Sequence, residues 1–337
     1  MNATMSPEMI KHQPVMLNQI LSIISPQHGG TFIDCTFGGG GYSEAILNYP
    51  ETKVFALDRD NLTKKKAESL IKKFPQRFNF VQDKFSNLYE IVNKNLNPKA
   101  IIFDLGLSSL QLADNHRGFS FNSKSKLNMQ MGINKYSAFD VVNSLEKKGL
   151  TSIIKNLGEE KDGKVIANKI INFRKNKPIE TTDELAKIIN EAKHNYNKNK
   201  KNPSTKTFQA IRIFVNQELT ELIKGLIAAT KLLQKGGIII VVSFHSLEDR
   251  IVKYFFDLYA NLKKNPSRYL PNQENKSILF GFFSKKPLVP DIYEVKKNIR
   301  SRSAKLRYAV KNESYSFTTL EFTKKFKKYF EIEEFKI

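Results

Sequence analysis

The chain of 337 residues has one cysteine, Cys35. A single thiol cannot close an internal disulfide or build a cysteine-based zinc cluster, so both kinds of small stapled scaffold are excluded. No apolar run approaches the roughly 18 residues of a membrane span, and no membrane association is expected. The opening stretch, MNATMSPEMIKHQPVML, lacks a charged leader followed by an apolar segment. No secretory signal is therefore read, and a cytoplasmic setting is the expectation. Acids are scarce: 33 stand against 55 basic residues, a net charge of +22. Such an excess suits a polyanion, because phosphate contacts supply much of nucleic-acid affinity. Arginine is scarce too, and lysine, asparagine and isoleucine are abundant throughout, a bias that genome base composition also produces.

What is present begins with alternation. TFIDCT (31–36), KVFALD (53–58), FNFVQD (78–83) and KAIIFDLG (99–106) are short, apolar and rich in β-branched or aromatic residues. YSEAILNY (42–49) and NLTKKKAESLIKKF (61–74) between them read as helices. This alternation predicts a parallel α/β sheet with its ligand at the carboxyl ends of the strands. From about 113 to 205 the pattern is helical, including a capping box at Thr181-x-x-Glu184. It reads as a helical insertion spanning 113–205, splitting the α/β domain into 1–112 and 206–337. FQAIRIFVNQELTELIKGLIAATKLLQKGG (208–237) reads as one helix closed by Gly236-Gly237. IIIVVSF (238–244) is a buried strand, SLEDRIVKYFFDLYANL a helix, and NIRSRSAKLRYAV (298–310) a basic patch running into a last strand.

The run DCTFGGGGYS (34–43) carries the first chemistry. A phosphate-binding P-loop needs Gly-Lys-Ser/Thr, and here Tyr42-Ser43 follows the glycines. A dinucleotide fold wants a third glycine where this chain has Ser43, which disfavours an oxidoreductase. The spacing acid-x-x-x-Gly-x-Gly, from Asp34 to Gly38 and Gly40, fits S-adenosylmethionine, since glycines allow positive φ and close backbone approach. Asp58 ends the second strand, where a carboxylate can accept ribose hydroxyls; that argument serves any nucleoside.

The fourth strand ends in DLGLSSLQLAD (104–114). A base amino group is a poor nucleophile, so an enzyme must accept its N–H and hold it in line. Asp104, or a backbone carbonyl beside it, can do so. Methylation at a pyrimidine carbon needs a nucleophilic cysteine at this place, and Cys35 lies in the first strand instead. No metal is required. The Asp/Asn/Ser-Pro-Pro-aromatic motif of DNA amino-methyltransferases is absent, so DNA is not expected as the substrate.

HQPVML (12–17), DCTFGGGGYS, ALDRD (56–60), DLGLSSLQL (104–112), RGFSF (117–121), TKTFQAIRIFVNQEL (205–219), SFHSLEDRIVK (243–253) and RSRSAKLR (300–307) occur in this order. Together they resemble the RsmH (MraW) family of 16S ribosomal RNA cytosine-N4 methyltransferases. The resemblance implies a class I S-adenosylmethionine-dependent methyltransferase sheet with an inserted helical domain. It implies N4-methylation of the decoding-centre cytidine 1402 in the small ribosomal subunit, with S-adenosyl-L-methionine as cofactor. It places cofactor contacts on Gly40, Gly41, Tyr42, Asp58, Phe85, Asp104 and Gln111. Taken on their own, Phe85 also reads as a core aromatic and Gln111 as a surface residue. The chain departs from the family pattern at Tyr42, where histidine is usual, at KSKLNMQMG (124–132) in place of GGxLDMRMD, and at SSLQLA in place of SSPQLD.

For RNA, Arg117, Arg212, Arg250, Arg300 and Arg302 are the candidates, with internal ion pairs as the competing role for the first three. Lys198–Lys201 reads as a solvated run. His245 reads as structural before it reads as a base, and no catalytic residue is named. A homodimer is left open. The competing function is a non-catalytic ribosome assembly factor that keeps the cofactor fold.

Overall fold

The computed structural model describes residues 14–121, 124–193, 202–260, 278–312 and 318–337. The strands are β1 (Gly30–Asp34), β2 (Thr52–Asp58), β3 (Phe78–Gln82), β4 (Ala100–Asp104), β5 (Ile238–Ser243), β6 (Phe280–Phe283) and β7 (Lys305–Lys311). They form one sheet in the order β3-β2-β1-β4-β5-β7-β6. β1 to β5 run parallel; β7 enters antiparallel between β5 and β6. The order reverses between β1 and β4, which opens a crevice above their carboxyl ends.

Side-chain alternation divides the core between the two faces of the sheet. On one face Phe32, Val54, Ala100, Ile102, Ile240 and Val242 pack with Ile20, Ile46 and Leu70 of the helices Leu17–Ile24, Gly41–Leu47 and Lys64–Lys73. On the other, Ile33, Ile101, Phe103, Ile239 and Val241 pack with the helices Glu218–Leu232 and Ser246–Ala260. Residues 100–103 of β4 are wholly buried, as a central strand covered on both faces must be.

Between β4 and β5 lie the helices Ala138–Ser144, Lys147–Leu157, Gly163–Arg174 and Thr182–Ala192. Leu150, Ile153, Ile154 and Leu157, at helical spacing, face this core. The Thr181–Glu184 capping box forms as expected, with Thr181 N–H donating to Glu184 Oε2 at 3.3 Å. The helix Thr205–Asn216 packs on Lys147–Leu157. One expectation fails here. The 208–237 stretch is two helices, Thr205–Asn216 and Glu218–Leu232, broken at Gln217 with φ 54°. Asn216 explains the break. Its amide donates to Met129 O and Arg212 O and accepts from Met131 N, each at 2.8 Å, tying the helix end to the 128–132 loop. No described helix is long and apolar enough to cross a membrane. Lys198–Lys201 lies outside the described residues.

Candidate active site

The glycine run leaves β1 and turns directly into the helix Gly41–Leu47. Gly38 and Gly40 take φ of 50° and 77°, which side chains resist. Gly41 has a different need: a Cβ there would stand 2.2 Å from Pro14. At Gly39 a Cβ would meet nothing within 4 Å, because that glycine faces open space. The run therefore has two internal constraints and one face bare of side chains toward the crevice.

Three carboxylates end the strands around it. Asp58 accepts the Gly38 N–H at 2.7 Å and the Asp60 N–H at 2.8 Å. Burial nevertheless pushes its pKa up to about 6. Asp34 accepts from Ser43 Oγ at 2.7 Å and Thr36 N at 3.2 Å, and burial again lifts it to about 6. Asp104 is the extreme case. Burial first, then the charge of Asp34, pushes it up to about 8. Its Oδ1 is buried without a hydrogen-bond partner. The neighbouring Tyr42 hydroxyl gives its proton to Val15 O, and its proximity to Asp104 only partly offsets the upward push of burial. An acceptor buried beside a cavity with nothing to accept asks for a donor or a cation from outside.

That cavity is a crevice spanning about 1310 Å³ when the solvent-filled space at its mouth is included. It is lined by Gly41, Tyr42, Asp58, Phe85, Asp104 and Gln111 of the expected cofactor set, and by Arg300. Gly40 stands behind the lining, where its added Cβ would strike the Phe37 ring at 2.8 Å. Phe85 serves the cavity and the core together. It meets Phe103 edge-on at 5.4 Å, and Gly225 behind it has no room for a Cβ, which would lie 2.6 Å from its ring. Gln111 is buried, not a surface residue. It closes a Ser108–Gln111 capping box and donates to Asp60 Oδ2 at 2.8 Å.

Asp60 was not singled out by sequence reasoning, although Asp58-Arg59-Asp60 carries two acids at one strand end. It receives Gln111 and also Arg117, whose Nη2 lies 2.8 Å from Oδ1. Arg117 is thus engaged internally, as is Arg212, held by both Glu218 oxygens at 2.8 Å. Arg250 pairs with Glu159 at 2.7 Å on the surface. Arg300 and Arg302 are exposed, and neither makes an ion pair among the described residues. The divergent 124–132 loop is well anchored. Asn128 Oδ1 accepts Gln130 N–H at 2.8 Å, and Met131 lines the cavity. Gly132, with φ 143°, approaches Arg59 O so closely that a Cβ would sit 1.9 Å away.

Glu218, His245 and Glu248 bring potential ligand atoms within 4.8 Å of one another. Arg212 holds Glu218, and Glu248 Oε2 caps the Phe244 N–H at 2.8 Å, while His245 Nε2 is buried without a hydrogen bond, 3.1 Å from Glu248 Oε1. His245 Nδ1 faces the Glu248 N–H at 3.4 Å, a structural position at a helix start.

The chain matches the MraW methylase family over residues 9–312. It belongs to that family. "Ribosomal RNA small subunit methyltransferase H" of Ehrlichia ruminantium (strain Welgevonden) is 43% identical over 304 residues, covering 89% of this chain and 99% of the relative. The protein of that name from Wolbachia sp. subsp. Drosophila simulans (strain wRi) is 44% identical over 300 residues, 88% and 97% of the two chains. Among solved structures, an rRNA methylase from Streptococcus thermophilus aligns over 90% of this chain and 99% of that one, at 11% identity and TM-score 0.39. Membership of a methylase family makes S-adenosylmethionine the cofactor. The residues present fit it: a bare glycine face, carboxylates at two strand ends, an aromatic wall and an unsatisfied acceptor suit a cationic nucleoside.

Proposed function

We propose that this methyltransferase modifies the N4 amine of a cytidine in small-subunit ribosomal RNA, the family's decoding-centre cytidine 1402. The unpartnered Asp104 Oδ1, at the end of β4 and against the cavity, is the observation that carries the reading. When bound, the cofactor supplies a methyl group on a sulfonium. Asp58 would take the ribose, Phe85 the adenine, and the glycine face with Asp104 the charged end.

The cytosine amine has its lone pair drawn into the ring. Asp104, or a backbone carbonyl in the following Leu105–Ser108 loop, accepts one N–H and turns the nitrogen toward the methyl. With the methyl group supplied by the bound cofactor, that N–H would be acidic, and its proton would leave to Asp104, to water beside the loop carbonyl or to solvent. Carbon methylation is disfavoured by chemistry: burial, then Asp34, hold the Cys35 thiol well above its usual pKa, so a thiolate is scarce. The target base must leave its stack to reach this depth, and Arg300 on the cavity wall suits a phosphate beside it.

The test is transfer of labelled methyl to small subunits from cells lacking the modification, read by nucleoside mass spectrometry. N4-methylcytidine is expected, lost in Asp58→Ala and Asp104→Ala. Cofactor binding with no transfer by the wild type would support the assembly-factor reading instead.

A further inference from the structure

The segment after β6 is unusual in what it shows to solvent. Val289 is 61% exposed, Ile292 72%, Tyr293 78% and Ile299 65%. Large apolar groups gathered this way on a surface mark a contact site. They are not exposed through fraying. Leu288 and Leu306 exchange backbone bonds of 2.9 Å, Asp291 caps the helix Ile292–Lys297 through Glu294 N–H at 2.8 Å, and Glu294 Oε1 accepts the Met16 N–H at 2.6 Å. The apolar groups are held outward on a fixed strap.

Two further observations name the occupant. Asn298 and Arg300 line the cofactor cavity, so the strap ends at its mouth. Lys285, Lys286, Lys296, Lys297, Arg300 and Arg302 are exposed around it, with no ion pair among the described residues. We infer that this strap, 285–302, is the docking surface for the single-stranded RNA flanking the target nucleotide. The inference rests on the RNA-methyltransferase reading above. Unstacked bases lay their faces on Tyr293, Ile292 and Ile299, while the surrounding cations follow the phosphates. Apolar side chains at the mouth of a base-flipping site also keep the opened stack from closing. A second copy of this chain is the poorer fit, since a two-fold contact through this patch sets its six cations against six like charges.

The experiment compares the full-length wild type with the triple variant Ile292→Ser, Tyr293→Ser, Ile299→Ser. The probe is a fluorescein-labelled, unstructured RNA of about 12 nucleotides with a single cytidine. The triple variant should bind about tenfold or more weakly with the same salt slope, and its KM for small subunits should rise in parallel. The pair Lys296→Ala, Lys297→Ala should lower the salt slope by about 1.4, the single-strand value for two phosphates. All the changed side chains are exposed, so melting curves should match the wild type. Equal RNA affinity and equal KM in the triple variant overturn the inference, as does failure of the wild type to bind the probe. A wild-type dimer in sedimentation that the triple variant dissociates also overturns it, giving the strap to a second copy. Failure of the wild type to methylate small subunits is a separate result, which removes the proposed function.

Discussion

Asp104 is the carboxyl whose charge this fold suppresses most, and the consequence can be worked through. Exposed, the group titrates near 3.8; in the folded protein it is pushed up to about 8 by burial and by Asp34. The folded state therefore keeps a proton that the unfolded chain gives up. The stability linked to Asp104 is fully present below about pH 4, declines as pH rises, and levels off above about pH 8. Between pH 6 and 8 this one group lowers stability by about 2 kcal/mol. Asp104→Asn removes that component, so the wild-type and variant denaturation midpoints should differ by a pH-dependent amount over this window.

A cationic cofactor beside Oδ1 acts in the opposite sense by drawing the proton off. At pH 7 close to one proton should leave per cofactor bound. Titration calorimetry in phosphate and in Tris reads this directly, because the released proton adds each buffer's own ionisation heat. The wild type should give different enthalpies in the two buffers and Asp104→Asn much the same one. Identical wild-type enthalpies, together with a stability difference that ignores pH, would refute the account of Asp104 as a neutral acid awaiting a cation.

Other perturbations follow from the packing. Gly225→Ala puts a Cβ within 2.6 Å of the Phe85 ring and should weaken cofactor binding about tenfold with little change in kcat, measured by steady-state kinetics. Asn216→Ala leaves the buried Met131 N–H without its acceptor and should cost about 2 kcal/mol in urea denaturation, with raised proteolysis of the 128–134 loop. Arg117→Ala strands the buried Asp60 carboxylate and should cost about 3 kcal/mol; Arg117→Ala with Asp60→Asn should recover part of it.

Much of this was legible because it depends on local pattern. The parallel strands read within a residue or two, since buried parallel strands need continuous apolar runs; the antiparallel edge strand β6, half exposed, was not read. Asp58 and Asp104 stood out because topology alone places strand ends at the ligand. The break at Gln217 was not legible. No glycine or proline marks it, and the apolar period continues through it; its cause is Asn216 reaching a loop 87 residues away in sequence. Arg117 is similar, since nothing near it names a partner 57 residues distant. Read alone, Gln111 suggests a surface residue, yet it is buried at the start of a helix. The signal for this was the Ser-x-x-Gln spacing of a capping box at 108–111, which starts a helix directly after the strand-end loop.

The pairing of β4 with β5 has a kinetic side. These neighbours at the centre of the sheet are separated by roughly 130 residues of chain, the described part of it all helical or loop. Closing so long a segment is slow if it closes as a coil. If the insertion helices gather first around Leu150, Ile153 and Leu157, they draw the two ends together and β5 joins β4 late. Refolding should then show early helical signal and late protection of the β4 amides. The cavity at the end of β4 would be among the last parts of the molecule to exist, so cofactor binding during refolding should report the completed native state and nothing before it.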